Sequence, residues 1–330
     1  MITGVELMKI SRPEDLFPKD EREIKKLYRE LVKMYHPDVY GNDDVFRRIN
    51  ELYKAAMEKI KTNSWGFINT LTIKSDSGKK ISLNYIKKHN FELGEMYIAN
   101  KVVLYLLPKS NEKYYTNYID KVKSIKYADE SMENEFALFI PKIIRHGKTE
   151  SGDCFIVILK YDDVLYLPDI LSKFKISNRH ACWMISRIIN LCCLMKYNNL
   201  SFNNININSI FICPRTHKVF LFDWWYVTKL GEKKIGLPKF NYNLMTPTRK
   251  ASKLTSSTLD IDSVKAFAMT MKSYTEGDVP KEFELWAKGG SSEDTFKEFS
   301  EWDKCLDASY GERKFVVLDI TKNHIYEEAV

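Results

Sequence analysis

The tripeptide His36-Pro37-Asp38 places an imidazole and a carboxylate two residues apart in the chain. Pro37 fixes the backbone of the segment, and the Asp38 carboxylate can pair with an arginine on another molecule. Four basic residues precede the tripeptide: Lys25, Lys26, Arg29 and Lys33. Lysine and arginine side chains speed encounter with an acidic surface, although a basic stripe alone is more often a solvated face.

Two helices are expected to position these side chains. Asp20 and Glu23 form a capping-box pattern, which places a helix start near residue 21. From there apolar residues recur at three- and four-residue spacing: Ile24, Leu27, Tyr28, Leu31 and Tyr35. A second helix is expected from Asn42 or Asp43, and its apolar stripe is Val45, Phe46, Ile49, Leu52, Tyr53 and Ala56. The loop 35–41 between them carries the tripeptide, and two antiparallel helices with facing stripes can bury a small core.

With these features, residues from about 10 to 62 resemble the J domain of DnaJ-type co-chaperones. The matching features are a short first helix at 13–17, a basic second helix, the tripeptide loop and an apolar third helix. The resemblance implies that the tripeptide and the four basic residues dock on the ATPase of a DnaK-type chaperone. It also implies that the contact stimulates ATP hydrolysis by that partner and traps its client.

Beyond residue 65 the pattern changes from helical to β-like periodicity. Runs of β-branched and aromatic residues predict strands, at 70–73, 96–98, 102–107, 154–159, 210–212 and 219–222. A long helix is expected at 177–197, and a buried helix is expected to start at 259–263. From about residue 85 to the end, the order of these features resembles a protein kinase, especially bacterial kinase-like domains that follow a J domain.

The resemblance can be tested against the groups that phosphoryl transfer requires. The third strand should carry a lysine, but the matching residue is Tyr105, and the phosphate-covering turn keeps only Gly94. The catalytic base falls on Asn204, a neutral amide, and the second metal ligand falls on Ser209. Only Asp223 keeps the family's residue type, as a possible magnesium ligand. These losses together remove most of the electrostatic stabilisation of the transferring phosphate, so the resemblance implies a pseudokinase.

Asp223 has two interpretations: it holds a metal and a nucleotide, or it hydrogen-bonds backbone at a turn, which is the favoured role. By analogy with kinases, Asp260 is expected to tie the backbone of the loop at 203–212 in place. Core packing is expected for the three tryptophans near these segments: Trp183, Trp224 and Trp225. The asparagine-rich stretch is equally compatible with a polar binding loop and with drift at a vestigial catalytic loop: Asn203, Asn204, Asn206 and Asn208.

Other site classes are not favoured by the sequence. The six cysteines form no CxxC pair and are expected to be buried free thiols. His146, His180 and His217 lack metal-ligand spacing, so no metal site is assigned. The net charge of +7 is mild, because 44 acidic residues offset 51 basic ones. Nucleic-acid binding through surface lysines stays a minor alternative, with candidates at Lys121, Lys123 and Lys126.

The sequence therefore predicts a multidomain α+β protein, in which an all-α J domain precedes a bilobal kinase-like domain. The expected divisions are residues 1–62 for the J domain, 63–160 for a β-rich N-lobe and 161–330 for a mainly α C-lobe, with the first boundary at 62–64. The expected function is that of a co-chaperone adaptor that performs no chemistry itself and uses its kinase-like domain to bind a client or regulatory protein. The alternative is a divergent nucleotide-dependent kinase or other phosphoryl or nucleotidyl transferase, which would use ATP and magnesium. Neither a signal peptide nor a membrane span is expected, which favours the cytoplasm.

Overall fold

The computed structural model describes residues 2–10, 12–37, 43–61, 65–66, 69–312 and 314–326, and it mixes helices with sheets. The α-helices are α1 (Gly4–Lys9), α2 (Glu21–Met34), α3 (Asp43–Lys61), α4 (Glu112–Lys123), α5 (Glu130–Phe136), α6 (Leu167–Leu171), α7 (Asn178–Tyr197), α8 (Lys239–Leu244), α9 (Pro247–Ser252), α10 (Thr258–Met271), α11 (Lys281–Lys288), α12 (Thr295–Tyr310) and α13 (Lys322–Tyr326). The strands are β1 (Asn69–Lys74), β2 (Lys80–Tyr85), β3 (Lys87–Phe91), β4 (Gly94–Ile98), β5 (Val102–Leu107), β6 (Ile143–Lys148), β7 (Cys154–Leu159), β8 (Leu165–Tyr166), β9 (Ile176–Ser177), β10 (Leu200–Ser201), β11 (Ile210–Cys213), β12 (Lys218–Leu221), β13 (Thr228–Lys229) and β14 (Thr275–Glu276). None of the described helices has the length and apolar composition needed to cross a membrane.

The chain divides into two compact units. The smaller unit comprises the described residues of 1–72, 82–86 and 326–330, and the larger comprises those of 73–81 and 87–325. The boundary expected at 62–64 lies outside the described residues.

The smaller unit contains the expected pair of amphipathic helices. Helix α2 begins after Asp20, whose carboxylate accepts hydrogen bonds from the backbone N–H groups of Arg22 and Glu23, so the predicted helix start is confirmed. Tyr28 of α2 stacks on Tyr53 of α3 with ring centroids 3.8 Å apart, whereas residues near the start of α3 lie beside the end of α2. The two helices are therefore antiparallel.

The core of this unit consists of the two predicted stripes and residues from the N-terminus. Its buried members are Leu7, Phe17, Ile24, Leu31, Tyr35, Val45, Ile49, Leu52 and Ala56. Helix α1, which contributes Leu7, is not among the elements expected from the sequence; a capping box formed by Thr3 and Glu6 stabilises its start. The short helix expected at 13–17 is instead a 3-10 turn over Pro13–Asp15.

The larger unit contains a five-stranded antiparallel sheet with the strand order β3-β4-β5-β7-β6. The strands predicted at 96–98, 102–107 and 154–159 all lie in it, and the last two match the observed bounds of β5 and β7. Helix α4 follows β5, before the chain returns to the sheet as β6. Gly94 begins β4, and a Cβ atom there would lie 2.1 Å from the carbonyl oxygen of Leu106 on the neighbouring strand. Only glycine therefore fits this position without moving the backbone of β5.

Beyond the sheet, long helices form a second apolar core. Helix α7 matches the predicted helix closely, and it packs against α10 and α12. Between α10 and α12 lies a buried ion pair, with Lys265 Nζ 2.9 Å from Glu298 Oε1. The Glu298 carboxylate also accepts hydrogen bonds from the Trp286 indole N–H at 2.9 Å and from the Ser292 backbone N–H at 3.1 Å. The antiparallel strands β11 and β12 confirm the strand pair predicted at 210–212 and 219–222.

Candidate functional site

A cavity of about 470 Å³ in the larger unit contains two of the predicted site residues, Asn204 and Asp223. Strand β3, the loop after β10, the segment after β12 and the start of α8 supply its walls. The described lining residues are His89, Asn90, Phe91, Glu92, Tyr166, Pro168, Asn204, Asn206, Asn208, Asp223, Trp225, Tyr226, Pro238 and Phe240. Its size is typical of sites for small ligands.

The loop after β10 is held in shape by Asp260 of helix α10. The two carboxylate oxygens of Asp260 accept hydrogen bonds from the backbone N–H groups of Phe202 and Asn203, both at 2.7 Å, and from the Ser201 hydroxyl at 2.9 Å. Asn203 takes a left-handed backbone conformation with φ 61°, which asparagine tolerates better than most residues. The expected scaffold role of Asp260 is confirmed. Burial raises the pKa of this carboxyl to about 6, although the three hydrogen bonds lower it.

The asparagine side chains that follow satisfy one another. Asn204 Nδ2 donates to the Asp223 carbonyl oxygen at 3.1 Å, and Asn204 Oδ1 accepts from Asn206 Nδ2 at 2.9 Å. The Asn206 Oδ1 atom in turn accepts from the Asn208 backbone N–H at 2.9 Å. The amides of Asn204 and Asn206 thus set the shape of the cavity wall and carry no charge.

Asp223 differs from its neighbours because its carboxylate lacks strong partners. It is only 8% exposed, and Oδ1 makes no hydrogen bond within the described part of the chain. The 3-10 turn after it, Trp224–Tyr226, receives no side-chain cap from Asp223. The favoured interpretation, in which this side chain bonds backbone at a turn, is therefore wrong. Burial raises the pKa of the carboxyl to about 6, against smaller lowering effects of the Tyr105 hydroxyl and the Trp225 indole N–H.

Aromatic rings surround this carboxylate. The fully buried Tyr105 lies edge-on to Trp225 with centroids 5.2 Å apart, and Phe91 contacts both rings. Burial raises the pKa of four nearby tyrosine hydroxyls, and the negative charge of Asp223 raises it further: Tyr105, Tyr118, Tyr166 and Tyr226. Tyr105 Oη and Trp225 Nε1 make no hydrogen bond within the described residues, but both donors lie near enough to Asp223 to lower the pKa of its carboxyl.

Helix α4 holds the Asp223 segment from behind. The Tyr118 hydroxyl donates to the Phe222 carbonyl oxygen at 2.8 Å, and Asn117 Nδ2 donates to the carbonyl oxygens of Trp225 and Val227. These bonds go to backbone on both sides of Asp223, so they hold the main chain of this segment in place. No local pattern indicates this anchoring, because α4 lies about a hundred residues earlier in the chain.

The outer part of the cavity adds a second carboxylate and an imidazole–carboxylate pair. Glu92, exposed at the β3–β4 turn, accepts hydrogen bonds from the Lys239 backbone N–H at 2.9 Å and from the Tyr226 hydroxyl at 3.5 Å. His89 Nε2 lies 3.1 Å from Asp169 Oδ2. The described residues that line the cavity include neither lysine nor arginine.

The other residues that the sequence predicts for a vestigial nucleotide site are not among the described lining residues of the cavity. Ser209 is buried, and its hydroxyl closes a local pair with the backbone N–H and carbonyl groups of Asn206. Gly94 is required by the packing of two strands, and Tyr105 lies behind the cavity wall. Trp224 and Trp225 are buried, as expected for core residues, although Trp225 also contributes to the cavity wall.

Two of the histidines that are scattered in the sequence lie together. The rings of His180 and His217 have centroids 6.0 Å apart, and Trp183 and Phe315 stack on the two faces of His217. Burial lowers the pKa of His180 to about 4. Groups of three or more histidine, cysteine or acidic side chains that suit a metal do not occur among the described residues. All six cysteines are buried free thiols, as predicted.

The second candidate site lies at one end of the antiparallel helix pair. His36 follows α2, half-buried, with its ring 5.6 Å from that of Phe46 on α3. Pro37 is half-buried, and Asp38 lies outside the described residues. Of the predicted basic residues, Lys26, Arg29 and Lys33 are exposed along α2, whereas Lys25 donates to Glu21 at 2.6 Å.

Comparison with known proteins adds no relative to this description. A scan against protein-family models and a search of curated proteins both find no match to this chain.

Proposed function

We propose that the protein is a co-chaperone adaptor, whose N-terminal unit is a J domain that recruits a DnaK-type chaperone and stimulates its ATPase. The observation that carries the proposal is the placement of His36-Pro37 one residue beyond the end of α2, at one end of an antiparallel helix pair whose α2 exposes basic residues. An acidic surface on the partner would meet Lys26, Arg29 and Lys33 together, because they follow one another at helical spacing. Surface charges of this kind raise association rates more than they raise affinity.

The proposal assigns the larger unit to a kinase-like domain that binds a client or a regulatory protein without catalysing phosphoryl transfer. The strand order β3-β4-β5-β7-β6, with a helix between β5 and β6, supports the assignment. Tyr105 lies beside Asp223 where the family places its phosphate-binding lysine, and Asn204 offers an amide where the family places its base. Both substitutions remove charge that a phosphoryl group would need.

A divergent transferase that uses ATP and magnesium is the competing function, and Asp223 is the residue that favours it. Its carboxylate is buried beside the cavity and has no strong partner among the described residues. Against this function, a polyphosphate would meet Asp223 and Glu92 in a cavity whose described lining offers no lysine or arginine.

The test of the co-chaperone proposal is steady-state ATP hydrolysis by a purified DnaK-type chaperone, with and without the full-length protein. Wild type should accelerate hydrolysis several-fold, and His36→Gln should return it to the basal rate without changing the far-ultraviolet circular dichroism. Arg29→Gln on α2 should weaken stimulation more at low salt than at high salt, because screening already weakens the contact at high salt. Lys54→Gln, which removes an exposed positive charge from α3, is the matched control and should stimulate as wild type does. Full stimulation by His36→Gln would refute the proposal.

A further inference from the structure

The described lining of the cavity in the larger unit carries acidic side chains but no lysine or arginine. Its described lining supplies two carboxylates, Asp223 and Glu92, and one imidazole that already lies beside Asp169. The polar amides next to Asp223 are neutral and bonded to one another. A ligand that enters this cavity therefore meets negative charge without a lysine or arginine among the described lining residues to offset it.

The donors nearest to the Asp223 carboxylate are two neutral groups, the Tyr105 hydroxyl and the Trp225 indole N–H. Asp223 Oδ1 makes no hydrogen bond among the described residues, and Tyr105 Oη and Trp225 Nε1 beside it are likewise unsatisfied. A buried carboxylate without partners is costly, and natural structures normally supply a donor or a counter-charge from protein, water or ligand. Neither neutral donor supplies a counter-charge, and the described lining residues of the cavity include no lysine or arginine that could do so.

The walls around this carboxylate are aromatic. Phe91, Tyr166, Trp225, Tyr226 and Phe240 line the cavity. The face of an aromatic ring attracts cations, and the attraction grows when the cation is desolvated. A buried carboxylate in a cavity lined by aromatic residues combines the two features that recognise an organic ammonium ion.

We propose that this cavity binds an organic ammonium group, with Asp223 as its counter-ion and with Phe91 as a ring contact. Free amines and lysine side chains carry the same group, and binding measurements on both distinguish these two sources. The proposal does not depend on recruitment of a chaperone by the N-terminal unit, so either can fail without the other.

Two other ligand classes fit the cavity less well. A nucleoside triphosphate would place its phosphates near Asp223 and Glu92, where like charges repel. A divalent cation prefers several oxygen ligands, but the nearest amide oxygens, Asn204 Oδ1 and Asn206 Oδ1, already accept hydrogen bonds. One ammonium group needs only one carboxylate and the surrounding rings.

The test is isothermal titration of the full-length protein at pH 7.5 with phenethylammonium and with N-acetyl-lysine methylamide. At this pH Asp223 is ionised, since the pKa of its carboxyl is about 6. Phenethyl alcohol and Nα,Nε-diacetyl-lysine methylamide are the uncharged counterparts, and ATP with magnesium is the competing ligand. We expect at least one of the two amines to bind at least tenfold more tightly than its uncharged counterpart and more tightly than ATP. Tighter binding of the free amine would identify a small-molecule site, and tighter binding of the lysine derivative would identify a peptide side chain.

Variants separate the proposed contacts from general effects. Asp223→Asn should weaken amine binding at least tenfold, and Phe91→Leu should weaken it several-fold while keeping an apolar side chain of similar reach. Asp278→Asn, which removes an exposed carboxylate of the same unit, should bind as wild type does. The proposal is overturned if neither amine binds at millimolar concentration, if Asp223→Asn binds the amines as tightly as wild type, or if ATP with magnesium binds more tightly than both.

Discussion

Replacing Asp223 by asparagine should make the protein more stable as the pH rises towards neutrality, relative to wild type. Burial raises the pKa of this carboxyl from an ordinary value of 3.8 to about 6. Between these values the folded state binds more protons than the unfolded state, so the free energy of unfolding of wild type falls as pH rises through this window. The amide that replaces the carboxyl in the variant does not titrate. Position 223 therefore causes no decrease in the free energy of unfolding of the variant in this pH window.

The size of the effect follows from the two pKa values. Each pH unit between them corresponds to about 1.4 kcal/mol, which gives about 3 kcal/mol in total. For a domain of about 150–250 residues this corresponds to a shift in Tm of about 6–12 °C. The amide of the variant contributes a free energy that does not depend on pH, so the relevant quantity is how the stability difference between variant and wild type changes with pH. Asp260, whose carboxyl pKa is also about 6, titrates in both proteins, so its contribution cancels from this difference.

Urea denaturation of wild type and Asp223→Asn at pH 4.5 and pH 7.5 measures this quantity. The stability of the variant relative to wild type should increase by about 2 kcal/mol between the two pH values. Asp278→Asn, in which an exposed carboxylate is lost, should show a difference below about 0.5 kcal/mol at both. A difference for Asp223→Asn that stays constant with pH, or that shrinks, would refute the idea that this carboxylate is buried without adequate partners.

Three further outcomes follow from packing. Lys265→Met should lower the free energy of unfolding by about 3–5 kcal/mol in urea denaturation, because the buried Glu298 carboxylate loses its counter-charge. Adding Glu298→Gln should recover part of this loss, and strictly additive losses would contradict the coupling. Gly94→Ala should cost about 1–3 kcal/mol because its Cβ would overlap the Leu106 carbonyl oxygen, whereas Gly290→Ala, which faces open space, should be nearly neutral. Burial raises the pKa of all six cysteine thiols. A thiol reagent should therefore modify them slowly in the native protein and rapidly in guanidinium. Rapid modification of the native protein would contradict their burial.

Local patterns predict the elements of this fold well. The run at 102–107 is apolar and β-rich, it is bounded by Lys101 and Pro108, and it forms strand β5 with the same bounds. The helix expected at 177–197 carries apolar residues on most of its surface, which is consistent with its position inside the larger unit. Such elements are determined by the periodicity and burial of their own residues, and these are visible in the sequence.

The candidate cavity is only partly visible in the sequence, because its properties arise from residues far apart in the chain. The kinase resemblance identifies Asn204 and Asp223, but the rings around them come from β3, β8 and α8 as well as from their own segment. The preference for a backbone role at Asp223 is wrong because nothing local indicates that Tyr105 and Trp225 enclose its carboxylate. Helix α1 escapes prediction for another reason: six residues are too few to give a clear periodicity, and its stability depends on a capping box and on packing of Leu7.

The hydrogen bonds of Asp260 affect which amino-acid substitutions the loop after β10 can tolerate during evolution. Two of its three donors are main-chain N–H groups, which every residue except proline supplies. The backbone conformation of residues 202 and 203 therefore depends little on which side chains they carry, except that the left-handed backbone at position 203 restricts the residue there. Substitutions at exposed positions of this loop can therefore accumulate while the backbone at residues 202 and 203 keeps its course.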